Sequence, residues 1–135
     1  MRTDSAGLQI LSPEECIALL ASVPIGRIVF TDRALPAVQP VNFHLDGERV
    51  VIRTSRDSKL AVAAANAVVA FETDEYDARA GTGWSVTAVG RARTVDDPAE
   101  TAALARLPLT PWAQGRRDHY IVVDLKQLSG RRIRR

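Results

Sequence analysis

Residues 41–60 read VNFHLDGERVVIRTSRDSKL. Asp46-Gly47 at their centre is a strong two-residue hairpin signal, because tight hairpin turns need positive φ that Asp and Gly tolerate. The flanking runs, residues 41–45 and 49–54, carry β-branched residues at strand spacing, so the turn predicts two antiparallel neighbours. Thr54, Ser55, Arg56, Ser58 and Lys59 then crowd hydroxyls and cations between a strand end and an alanine-rich helix. Exposed backbone N–H groups and a helix dipole favour an anion at such a place. Lys59 supplies a point charge and Arg53 a bidentate fork, which suit a phosphate whose shell the Thr54 and Ser58 hydroxyls complete. On these residues alone the alternative stays open: Arg53 and Lys59 as surface charges, Ser58 as a simple helix cap.

Outward from this stretch the chain reads as strands joined by short turns. Ser12 as N-cap, Pro13 at the first helical position and Glu15 three residues after the cap predict a helix running to about residue 21. Pro24 ends it, and residues 26–31 read as a strand. Residues 37–43 follow as a second strand, with Pro40 marking an edge or a bulge because proline cannot donate to a ladder. Downstream, Ser58 caps a helix over 59–66. Residues 67–73 form an apolar run that predicts a strand buried on both faces. The acidic stretch 74–77 with Gly81 and Gly83 reads as a loop. Residues 84–95 predict a long strand in which Gly90 permits a bend, and a helix starts at Asp97-Pro98. The final strand is 119–125. About six strands without regular βαβ alternation predict a closed or partly closed antiparallel barrel, mainly β with peripheral helices.

With 135 residues, 46% hydrophobic and 25% charged, the chain suits one domain, residues 1–135. No apolar run reaches the roughly 18 to 20 residues of a membrane span, and the start MRTDSAGLQI lacks the apolar stretch of a secretory signal, so the expected location is the cytoplasm. Cys16 is the one cysteine and reads as a small core hydrophobe. Residues 112–135 hold seven basic side chains against two acidic ones, leaving the preceding 111 residues at a net charge of −3. This basic end has no interleaved aromatic platform or zinc-finger spacing, so it reads as a solvated or anion-neutralising tail, with no nucleic-acid partner. There is no GxGxxG after a strand, no GxxxxGK[ST], no GxSxG and no HExxH. The two histidines, His44 and His119, lack the spacing of a metal site and read as polar residues at strand ends. No catalytic acid, base or nucleophile is assigned.

The order of these pieces resembles the pyridoxamine 5′-phosphate oxidase-like flavin-binding split barrels. The resemblance rests on the helix LSPEECIALLA, the strand GRIVF, the hairpin PAVQPVNFHLDGERVVIRTSRDSKL, the strand AVVAFET and the strand GWSVTAVGRARTV. It implies a six-stranded antiparallel split β-barrel and a homodimer with the cofactor in a groove between subunits. It further implies FMN as cofactor, with the deazaflavin F420 as the alternative; other split barrels bind FAD or haem. Gln39, Pro40, Val41 and Asn42 match the strand beside the isoalloxazine ring. Arg53 and Thr54 match the pair near the ribityl chain and phosphate, Ser58 and Lys59 the hydroxyl and lysine that hold the phosphate, and Trp84 and Ser85 a segment lent to the same groove. Flavins carry their own redox chemistry, which accounts for the missing catalytic signature. The implied activity is hydride or electron transfer to a small planar substrate, the alternative a cofactor-binding module without turnover. The carboxyl-terminal stretch lacks the arginine–histidine pattern associated with the vitamin B6 oxidases, which points away from that substrate. Trp112, Arg116 and Arg117, after Pro108 and Pro111, are expected on a loop over the groove mouth, near an anionic substrate or cofactor tail.

Overall fold

A computed structural model describes residues 2–113, 115 and 117–134. Among them are β1 (Gln9–Ile10), α1 (Pro13–Leu20), β2 (Ile25–Asp32), β3 (Leu35–Asn42), β4 (His44–Asp46), β5 (Arg49–Thr54), α2 (Lys59–Ala64), β6 (Val68–Asp77), β7 (Thr82–Thr94), α3 (Pro98–Leu104), β8 (His119–Asp124) and β9 (Gln127–Ile133). Every pairing is antiparallel, in the order β3-β2-β6-β7-β8-β5-β4, with β9 joining β7 to β1. The split-barrel expectation holds, with nine strands where about six were expected.

The helix starts form as the sequence predicts. Ser12 Oγ accepts the Glu15 N–H at 3.2 Å and the Glu15 carboxylate accepts the Ser12 N–H at 3.1 Å, a complete capping box. Ser58 and Asp97 cap α2 and α3 through the side chain alone, accepting the N–H groups of Ala61 and Glu100. Two positions set the barrel's corners. Phe43 interrupts the run read as one strand over 41–45: Val41 and Asn42 end β3, whereas His44 begins β4. Its buried ring meets Phe71 edge to face at 4.8 Å, so the chain changes partner strands around a core aromatic. The second corner is Gly90, where β7 leaves β9 for β8. A Cβ there would overlap the Asp124 carbonyl, so only glycine lets the two backbones approach.

Most of the core fills the barrel, with Leu20, Ile28, Ile52, Leu60, Phe71 and Ile121 fully buried. A smaller cluster beneath α3 packs Val51, Leu104, Leu109 and Tyr120. Cys16 belongs to the main core, and burial raises its thiol pKa.

Four local readings need correction. The tight turn is Gly47-Glu48, one residue later than Asp46-Gly47, with Gly47 at φ 64° and Asp46 paired with Arg49. Residues 67–73 are buried on one face only: Val69, Phe71 and Thr73 point inward while Val68 lies exposed. The acidic residues 74–77 continue β6 instead of forming a loop, because Arg27 on β2 stands between Glu72 and Asp74, 3.1 Å from each. The final strand is not 119–125: a further strand, β9, follows it within the basic stretch. Arg131 pairs with Asp4 at 2.8 Å and Arg132 with Glu15 at 3.6 Å.

Candidate functional site

Among the described residues β3 pairs with β2 alone, so one row of its backbone groups faces away from the sheet. Pro40 sits on this edge opposite Arg27, as its missing N–H requires. Where β3 and β5 converge above α2, a cavity of about 210 Å³ opens, and Gln39, Pro40, Val41, Asn42, Arg53 and Thr54 all line it. The fold brings these six residues to one place. Ile25, Leu60 and Pro111 add apolar wall, and Trp112 and Arg117 reach the same cavity from the connection between α3 and β8.

The polar groups around this cavity are largely committed to one another. Arg53 Nε donates to the Arg117 carbonyl at 3.0 Å, and one of its terminal nitrogens donates to the Leu109 carbonyl at 3.4 Å. The same guanidinium lies 5.6 Å from the Tyr120 ring centre, a cation–π contact. Asn42 donates its amide to the Pro24 carbonyl at 3.3 Å and accepts the Trp112 N–H at 2.8 Å. Thr54 Oγ1, buried, donates to Ser58 Oγ at 2.9 Å, and Ser58 Oγ also accepts the Ala61 N–H. Ser58 therefore keeps its own proton for a further acceptor. His119 pairs with Thr54 in the β5–β8 register and is buried, with no hydrogen-bond partner for Nδ1. His44 and His119 both open strands, as expected.

The remaining predicted residues stand apart from this cavity. Lys59 lines a neighbouring open depression with Asp32, Arg33 and Asp57. Its side chain is 70% exposed and its ammonium lies 3.6 Å from Asp32. Two cations and two carboxylates meet there, and α2 is a six-residue helix, so its dipole adds little. Trp84 lines a third depression with Tyr76, Arg132 and Ile133, and Ser85 pairs across β7 with Asp74 and Arg131. Within a single chain neither reaches the cavity between β3 and β5. Arg116 lies outside the described residues. Arg33 was not foreseen as a site residue. It precedes Ala34 in a turn where both have positive φ, and an Asp-Arg pair at a hairpin tip was the available signal.

The outer face of β2 and β6 carries the one strongly displaced carboxyl. Glu72 is pushed up to about 7 by burial, by its hydrogen bond to Asp74 and by that residue's charge, against the pull of Arg27. Among the described residues no group of three or more His, Cys, Asp or Glu could hold a metal ion, and no helix is long and apolar enough to cross a membrane.

Proteins similar to this chain in sequence and architecture are known. A Mycobacterium smegmatis protein described as FAD binding superposes with a TM-score of 0.77 at 42% identity, covering 93% of this chain and 97% of its own. A conserved protein of unknown function from Corynebacterium diphtheriae superposes with a TM-score of 0.75 at 31% identity, over 92% of this chain and 96% of that one. The uncharacterized protein Rv0080 of Mycobacterium tuberculosis is 42% identical over 128 residues, which cover 91% of this chain and 84% of that protein. Residues 12–132 match the sequence model of the pyridoxamine 5′-phosphate oxidase family, and with the split barrel in place the chain belongs to that family.

Proposed function

We propose that this protein binds a flavin along the β3 edge and serves as an oxidoreductase. The observation that carries the reading is the convergence of Gln39, Pro40, Val41, Asn42, Arg53 and Thr54 on one cavity beside an unpaired strand edge. A flat heteroaromatic ring needs apolar walls and an edge that offers hydrogen-bond donors and acceptors. The outward backbone row of β3 supplies the edge, and Ile25, Pro40, Val41 and Leu60 supply walls. When bound, the ring brings hydride or electron transfer with it, so the protein has to bind, orient and exclude water.

In this reading the phosphate lies toward Ser58, with Lys59 and Arg33 beside it. Asp32 holds Lys59 at 3.6 Å, so an arriving phosphate takes over that ammonium and releases the aspartate. The part common to FMN and FAD is what the site receives. Of the two, FAD is favoured by the 42% identical M. smegmatis protein described as binding it.

At about 210 Å³ the cavity is smaller than the roughly 300 Å³ or more usual for ligand pockets, so one chain holds part of the cofactor. A second copy completes the groove, and Trp84 and Ser85 are its contribution. Exposed apolar residues favour such a contact: Val38, 62% exposed, projects from β3 on the outer sheet face, and Val68 lies exposed on β6.

The test is the absorption spectrum of the purified protein, followed by chromatography of what it releases on denaturation. A released flavin, with a dimer by sedimentation, is the expected result. FMN or F420 in place of FAD changes the cofactor and keeps the site. A protein that stays colourless after incubation with FMN, FAD and F420 overturns the reading. Reduction by NAD(P)H and reoxidation no faster than free flavin would leave a binding module without turnover.

A further inference from the structure

The connection between α3 and β8 is tied to the barrel at three points. Arg53 holds the carbonyls of Leu109 and Arg117, eight residues apart, with one guanidinium, and Asn42 holds the N–H of Trp112 between them. Leu109 is itself buried beneath α3, and Tyr120 supports the underside of Arg53. Such a fixing of a surface connection calls for something to position. What it holds in place is Trp112, 68% exposed yet lining the cavity beside Pro40, Val41 and Pro111. A tryptophan left this open at the rim of a cavity offers a flat face to a ligand.

We propose that Trp112 is the specificity-determining wall of this site, stacking on a planar conjugated substrate, and that Arg53 and Asn42 are positioning residues that hold it there. This rests on the proposed flavin site and deepens it by naming the residue that selects the substrate. It also changes the part played by Arg53. A guanidinium whose Nε and one terminal nitrogen already serve backbone carbonyls acts through the loop it fastens, and the phosphate is left to Ser58, Lys59 and Arg33. Arginine suits this task because its fork is planar and rigid; a lysine supplies one charge and cannot span both carbonyls in the same geometry.

Two measurements on the full chain test the two halves. Backbone amide exchange over residues 109–117 needs no ligand. Arg53→Gln, and Arg53→Lys as the conservative variant, should speed it by about tenfold or more, because each removes a charge-assisted contact. Unchanged exchange in both variants overturns the clamp. For the wall, the indole N–H resonance of Trp112, identified by its absence in Trp112→Phe, is followed in flavin-loaded protein titrated with menadione, a flat two-ring quinone. That signal should shift while the Trp84 indole stays still, and Trp112→Ala should bind menadione about tenfold more weakly, with Trp112→Phe close to wild type. A Trp112 signal unmoved at saturating menadione, or equal affinity in Trp112→Ala, overturns the wall. A protein that takes up no flavin overturns both the proposed function and the wall, whereas the clamp is still decided by exchange.

Discussion

Thr54 Oγ1 donates to Ser58 Oγ at 2.9 Å, joining the last residue of β5 to the cap of α2 across the turn. One hydroxyl is thereby spent on orienting the other. Ser58→Ala should cost about 1 kcal/mol of stability through the lost cap and also leave Thr54 Oγ1 without its acceptor. Urea denaturation measures the first effect. Flavin affinity measures whether the Ser58 proton also faces a phosphate, and an alanine variant with wild-type affinity would remove Ser58 from the site.

Lys59→Ala should separate binding from folding. The side chain is 70% exposed and its single ion pair is loose, so stability should change by about 0.5 kcal/mol or less. Flavin affinity should fall by about tenfold or more, since a charge-assisted phosphate contact is lost. Paired melting and equilibrium-dialysis measurements check the contrast; equal affinities would count against phosphate binding by Lys59.

Glu72 should make stability depend on pH near neutrality. Burial and Asp74 raise its folded pKa to about 7, above the ordinary value of 4.5. Between these values the folded protein holds a proton that the unfolded chain has released, so this group's contribution to stability falls as pH rises from 4.5 to 7. Glu72→Gln stays neutral throughout and should lose that slope. Urea midpoints of both proteins at several pH values across this window check it: parallel curves would show that Glu72 titrates normally.

Gly90→Ala should be the most damaging single methyl addition in the sheet. Its Cβ would occupy the space of the Asp124 carbonyl oxygen, and neither backbone can move without parting β7 from β8 or β9. A loss of about 3 kcal/mol or more is expected, seen as a lowered melting temperature or insoluble protein. A variant that melts like wild type would show that the corner is pliable.

Local chemistry made much of this fold legible in advance. Ser12 with Glu15, Ser58 and Asp97 each announced a helix start because a cap is satisfied within four residues. Gly90 and Pro40 marked a bend and an edge by what their backbones permit. The failures were non-local. β9 was missed because its arginines read as a charged tail until Asp4 and Glu15 are brought beside them. Residues 74–77 read as a loop because Arg27, which neutralises that face, comes from a strand more than forty positions earlier. In the site, Gln39 to Asn42 with Arg53 and Thr54 could be grouped through the family resemblance, although they lie on two strands, β3 and β5, that do not pair. Whether Lys59 turns toward that group or toward Asp32 depends on the packing of α2, which no motif records. The bonds from Arg53 to Leu109 and Arg117 were equally invisible, joining positions 56 and 64 residues apart.

The pairing of β1 with β9 has a consequence for how the protein is made. Gln9 and Ile10 lie opposite Arg132 and Arg131, and Leu11 donates its N–H to the Gly130 carbonyl. Before β9 is made, β1 can bridge only to the segment just ahead of it, through Thr3 opposite Gln9 and the Arg2 carbonyl that accepts the Ile10 N–H, and β7 lacks one neighbour for as long. The barrel cannot close during synthesis. Until residues 127–133 emerge, a nascent chain exposes the edge of β7 and the side of α1 that Gly130 will cover, so termination just before residue 127 should yield an aggregation-prone product.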